Sequence, residues 1–150
     1  MKKILLLALA VLIVQPVSAT DVDASPKRLS VIKSKLGLHE RKNRNTIKKL
    51  VKVDPSTTPW CGAAVGYALR ATGKKPPKNP NKAFNYLSYG KKVSGIKNAK
   101  KGDIIVYKFS HVSIYDKPVG KHSHVACGGN QSNQFKCSTY KNSKIKSVRR

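Results

Sequence analysis

Acidic residues are what this sequence has least of: 6 Asp and Glu stand against 31 Lys and Arg in 150 residues, a formal net charge of +25. So little acid excludes a cationic partner. It points instead to an anionic one, such as nucleic acid, lipid headgroups or a cell-wall polymer bearing carboxylates and phosphates. A solvated, solubilising surface accounts for the same surplus, so charge sets the partner's sign and not its identity. Long apolar runs are scarce too. The one that stands out, Ile4 to Val14, is shorter than the ~20 residues a membrane-spanning helix needs. No internal repeat is present, and no low-complexity tract beyond scattered lysines.

What is there begins with an export signal. Met1, Lys2 and Lys3 precede the apolar run, and Gln15, Pro16 and the small-residue stretch Val17, Ser18, Ala19 follow it. Residues 1–19 therefore read as a secretory signal peptide cut before Thr20. No cysteine follows that cut to take a lipid anchor, and no transmembrane segment remains, so a secreted or periplasmic protein is expected. The remaining 131 of the 150 residues fit one domain, 20–150, large enough for one real core. Without Lys2 and Lys3 it carries 29 basic against 6 acidic residues, a charge of about +23. Export makes nucleic acid the less natural partner.

Helices are expected first and strands second. Leu29, Ile32 and Leu36 predict a helix over 27–36 stopped by Gly37; Asn45 is a candidate cap for a second helix carrying Ile47, Leu50 and Val51, broken by Asp54 and Pro55. From Cys61, the steps to Ala64, Val65, Ala68 and Leu69 predict the strongest helix, closed by Gly73. Ala83, Phe84 and Leu87 suggest a short one closed by Gly90. Strands are expected over 103–108, 112–115, 124–127, 135–140 and 145–148, between Gly, Pro, Asn and Ser clusters. This segregation predicts an α+β domain with helices against one face of an antiparallel sheet.

Cys61 opens the strongest helix, where unsatisfied N–H groups and the helix dipole converge. That position favours a thiolate, the species that attacks an amide carbonyl, and the same N–H groups could hold the oxyanion. Periodicity alone offers the plainer role of a small core residue continuing the Ala64, Val65, Ala68 stripe. A nucleophile also needs a base and an orienter, and the sequence offers candidates for both.

Four blocks carry a resemblance: LGLHE at 36–40, TPWCGAAVGYALRATG at 58–73, KGDIIVYKFSHVSIY at 101–115 and GGNQSN at 128–133. In this order, across nearly all of the chain after the signal, they resemble the papain-like cell-wall hydrolases, the CHAP and NlpC-type peptidases, particularly small phage and bacterial members. The resemblance implies a papain-like fold, a Cys/His pair and hydrolysis of peptidoglycan amides, either as a stem-peptide endopeptidase or as an amidase cutting where the stem joins the sugar. A catalytically silent cationic protein binding wall, lipopolysaccharide or nucleic acid is the rival. No inhibitor or immunity partner is identifiable.

Residue by residue, the resemblance makes Cys61 the nucleophile and His111 the general base. Asn130 becomes the polar residue that orients the imidazole, with Gln131 beside it, and His124 is the rival for that role. Trp60 and Gln131 are the expected substrate contacts, with Tyr67 as a further pocket wall. Asp103 looks structural, and His39 and His122 look like surface residues. Gly62, Ala63 and Ser113 depart from the family pattern and blur the substrate pocket. No cofactor is implied. A zinc site built on Cys61, Cys127, Cys137 and the histidines fits no usual ligand spacing.

The chain has three cysteines. Cys127 and Cys137 flank the GGNQSN turn, so a hairpin would bring them close enough to pair in an oxidising compartment, leaving Cys61 as the free thiol. Three free thiols are expected instead if the strand register separates the pair.

Overall fold

The computed structural model describes residues 25–150; the expected signal peptide and the cut at Thr20 lie outside them. Three helices come first, α1 (Ser25–Lys33), α2 (Arg44–Val51) and α3 (Cys61–Ala71), then a 3-10 turn at Ala83–Ser88. The strands are β1 (Lys92–Val93), β2 (Ile104–Tyr107), β3 (Val112–Val119), β4 (Ser123–Gly128), β5 (Lys136–Lys141) and β6 (Ile145–Arg149). They form one antiparallel six-stranded sheet in the order β1-β6-β2-β3-β4-β5. The architecture is α+β.

Alternation along the strands separates two cores. Ile104, Val106, Val112, Ile114 and Cys127 face the helices and join Leu29, Ile32, Ile47, Val65 and Leu69. Ile105, Tyr107, Tyr115 and Val148 pack on the opposite face. β2 is apolar at every position because both of its faces are covered. Each of its fully buried isoleucines contributes about 1.5–3 kcal/mol.

α3 lies between α1, α2 and β3, and its small residues let it approach closely. A Cβ on Gly62 would stand 2.4 Å from the Pro80 carbonyl oxygen, so glycine is what allows the start of α3 to press on the following loop. Gly129, in the turn after β4, has the same role from the other side. A Cβ there would fall 2.3 Å from the Trp60 ring and 2.5 Å from Ala64 Cβ.

Several sequence expectations need adjusting. α1 starts at Ser25 and ends at Lys33, and the chain then turns through Gly37 at φ +88°, leaving Leu36 largely exposed. α2 is preceded by Asn43 rather than capped by Asn45; the Asn43 side chain instead accepts the His39 N–H at 3.0 Å. Lys52, left-handed at φ 66°, ends that helix before Asp54 is reached. The two-residue strand β1 has no sequence signal, because only pairing with β6 makes it a strand. β3 continues to Val119, past a register shift between Tyr115 and Lys117.

Asp103 is structural, as expected. Its fully buried carboxylate receives Arg150 through Nε at 2.9 Å and Nη2 at 2.7 Å, and the Lys100 N–H at 2.9 Å. A buried charge is tolerable only when paired this fully. The other described acids are also engaged: Glu40 with Trp60, Asp54 with Arg44 and Lys48, and Asp116 with Lys33. Most lysines lie on the exposed surface, so the positive charge is displayed rather than neutralised.

Candidate functional site

The start of α3 places Cys61 at 4% exposure, where the backbone N–H dipoles of Val112, Gly62 and Cys61 itself favour its anion. Two come from the helix's own first turn and one from the first residue of β3. Burial nonetheless outweighs them and pushes the thiol above its ordinary value. The expected resting thiolate is thereby corrected: loss of water around the sulfur costs the anion more than three N–H dipoles return.

A cleft of about 380 Å³ opens beside the sulfur, walled by Pro59, Cys61, Asn81, Lys82, Phe84 and Ser110 among others. That volume suits a small ligand or a segment of chain. Ser110 sits at φ 56°, a left-handed conformation that turns the chain sharply just before His111. The residue preceding the candidate base thus shares one cleft with the candidate nucleophile, and the N–H of the residue following it favours the thiolate.

His111 is half-buried, and burial lowers its pKa to about 4, so the imidazole is neutral near pH 7. Its ring lies within an aromatic cluster. Phe109 stacks on it at 5.8 Å between centroids, with Tyr107 at 5.6 Å and Tyr140 at 5.9 Å. Among the described residues the group hydrogen-bonded to this imidazole is the Tyr140 hydroxyl, 3.4 Å from Nε2. No bond from the imidazole to the Cys61 sulfur is formed. Long or unformed catalytic hydrogen bonds are common before substrate binds.

His124 is engaged elsewhere. Asn142 donates through Nδ2 to the Lys121 carbonyl at 3.2 Å, which turns its Oδ1 toward His124 Nδ1 at 2.8 Å. Nδ1 must then carry the proton, and Nε2 accepts from the Tyr107 hydroxyl at 2.9 Å. Ser113 completes the chain as donor to Tyr107 at 3.1 Å. Fully buried and bonded at both nitrogens, His124 is tied into the sheet rather than to His111.

Asn130 stands at φ 56° in the turn after β4, half-buried and without a bond to the His111 ring. Gln131 is buried at 4% exposure. Its amide oxygen accepts the Gly128 N–H at 3.0 Å, and its nitrogen lies 2.9 Å from Ser138 Oγ, 3.1 Å from the Lys136 carbonyl and 3.2 Å from the Tyr140 hydroxyl. Gln131 is therefore an internal brace, not the expected substrate contact. Trp60 departs from expectation in the same way. It is wholly buried, edge-on to Phe135 at 5.0 Å, with Nε1 donating to Glu40 at 3.2 Å, which places it in the core and away from the cleft.

Cys127 and Cys137 are direct partners in the β4–β5 register and form a disulfide, leaving Cys61 as the free cysteine. Sequence reading missed Tyr140, Ser110 and the wall at Asn81–Phe84. Alternation within the expected strand over 135–140 was the available signal for Tyr140, since it puts Ser138 and Tyr140 on one face.

No protein-family model, curated protein sequence or solved structure matches this chain. The fold and site define a class: an α+β domain with a buried cysteine at a helix start and a histidine at the start of the adjoining strand. None of its described helices is long and apolar enough to cross a membrane.

Proposed function

We propose that this protein is an exported, papain-like cysteine hydrolase that cleaves amide bonds of peptidoglycan within the stem peptide. The observation that carries the reading is the shared cleft. Cys61 and Ser110 line one opening, and His111 follows Ser110 directly in the chain, just before β3. The four sequence blocks resembling CHAP and NlpC-type peptidases supply the substrate class. The disulfide suits an oxidising compartment, and the displayed lysines suit an anionic wall polymer.

The chemistry begins from a neutral pair. As the substrate carbonyl approaches, His111 takes the thiol proton and the sulfur–carbon bond forms. The backbone N–H groups around Cys61 stabilise the oxyanion. Collapse breaks the carbon–nitrogen bond, and the imidazolium gives its proton to the departing amine. Water, deprotonated by the same imidazole, then attacks the thioester. The products are the carboxylate and the restored thiol.

The test is loss of turbidity of purified cell wall by the wild-type protein, Cys61→Ala and His111→Ala. Activity in the first alone, by at least about a hundredfold over either variant, supports the hydrolase. Equal behaviour of all three sinks it. Mass spectrometry of the released fragments separates a stem-peptide cut from an amidase cut at the sugar, because the new termini differ. The near-complete burial of Cys61 favours the competing non-catalytic cationic binder, for which Cys61→Ala would change nothing.

A further inference from the structure

The hydroxyl of Tyr140 has three neighbours, and a phenol has one proton to give and two lone pairs to share. His111 Nε2 lies at 3.4 Å and Gln131 Nε2 at 3.2 Å, and the Ser138 hydroxyl beside it on the same strand acts on its pKa. Gln131 nitrogen can only donate. Its oxygen is already fixed by the Gly128 N–H at 3.0 Å, so the amide cannot turn round. Its two protons are shared among Ser138 Oγ at 2.9 Å, the Lys136 carbonyl at 3.1 Å and the Tyr140 hydroxyl at 3.2 Å, so one Tyr140 lone pair faces a donor. Ser138, a hydroxyl on the same strand, can accept the phenolic proton, which leaves the second lone pair facing His111 Nε2.

We infer that Tyr140, braced by Gln131 and Ser138, is the positioning residue of His111: it accepts the Nε2 proton and thereby leaves Nδ1 as the basic nitrogen. This rests on the hydrolase reading of Cys61 and His111, and it moves the orienting role from Asn130 and His124 to a tyrosine on β5. Asn130 makes no bond to the ring, and both nitrogens of His124 are taken by Asn142 and Tyr107. Ring packing supports the assignment. Tyr107, Phe109 and Tyr140 surround the imidazole at 5.6–5.9 Å, so it cannot swing freely, while its protonation pattern depends on the only polar atom those three rings offer within bonding distance. Burial keeps the Tyr140 phenol protonated to about pH 12, so it remains a neutral acceptor throughout the working range.

The deciding experiment is nitrogen-15 NMR of the histidine rings in the wild-type chain and in Tyr140→Phe, which removes one oxygen and leaves the ring packing in place. The wild type should show His111 as the Nε2–H tautomer near pH 7, and the variant a mixture of tautomers. On wall substrate, kcat should fall about ten- to a hundredfold with KM within about twofold. Gln131→Met, which removes the amide donor beside the phenol and keeps the phenol itself, should shift the same resonances less, and it serves should Tyr140→Phe fold poorly. An unchanged His111 tautomer in both variants overturns the assignment, whatever the activity. If the tautomer responds but the wild type hydrolyses nothing, the positioning contact stands and the hydrolase reading falls.

Discussion

The Val112 N–H dipole bears on the Cys61 sulfur and favours its anion, which sets the first residue of β3 beside the first residue of α3. Fifty positions of chain separate the cysteine from His111, yet the start of β3, next to His111 in the chain, stands beside the start of α3. The consequences can be measured.

The first concerns pH. Burial holds the folded His111 pKa at about 4, below its ordinary 6.5, so the unfolded chain takes up the proton first as pH falls. Stability from this group is complete above about pH 6.5 and is lost as pH drops toward 4, an effect on the order of 2–3 kcal/mol. His124, also lowered by burial, adds in the same direction. Urea unfolding at a series of pH values should show this decline, and His111→Ala should flatten it. Hydrolysis should persist down to about pH 5, since the base is still unprotonated there.

The second concerns the disulfide. Cys127 and Cys137 close a loop with a sequence separation of 10, and removing that constraint should cost about 2–3 kcal/mol. Replacing both cysteines by alanine should lower the denaturant midpoint accordingly. Intact mass of the wild type should rise by two hydrogens on reduction, and an unchanged mass would show the pair to be open.

The third concerns the turn after β4. Gly129→Ala would drive a methyl into the Trp60 ring and Ala64. Overpacking of this kind costs about 1–3 kcal/mol. The melting temperature should fall and the fluorescence of Trp60, the chain's single tryptophan, should change.

The fourth concerns charge. With each described acid already engaged, the exposed lysines have few internal partners to release. Binding to isolated wall polymer should weaken steeply as sodium chloride is raised from about 50 to 500 mM, over which screening lengths fall well below 10 Å. Binding insensitive to salt would remove the electrostatic account of localisation.

Local pattern determined much of this protein. The three- and four-residue spacing after Cys61 produced α3 because an apolar stripe of that period can be buried only as a helix. Strands β2 to β6 followed from alternating or fully apolar runs between turn residues, and the α+β order followed from their segregation along the chain. The pairing of Cys127 with Cys137 was legible because both cysteines flank one short turn.

Tertiary structure decided what depends on surroundings. The Cys61 thiol is raised rather than lowered, because its pKa is set by how much water the packed sheet removes, which no local motif records. Trp60 and Gln131 went to internal bonds with Glu40, Ser138 and Tyr140, partners between 7 and 20 positions away in sequence. Tyr140 meets His111 only because β5, β4 and β3 lie side by side. Secondary structure is encoded in the near neighbours of each residue, whereas protonation, hydrogen-bond choice and the shape of a cleft are properties of atoms that folding alone brings together.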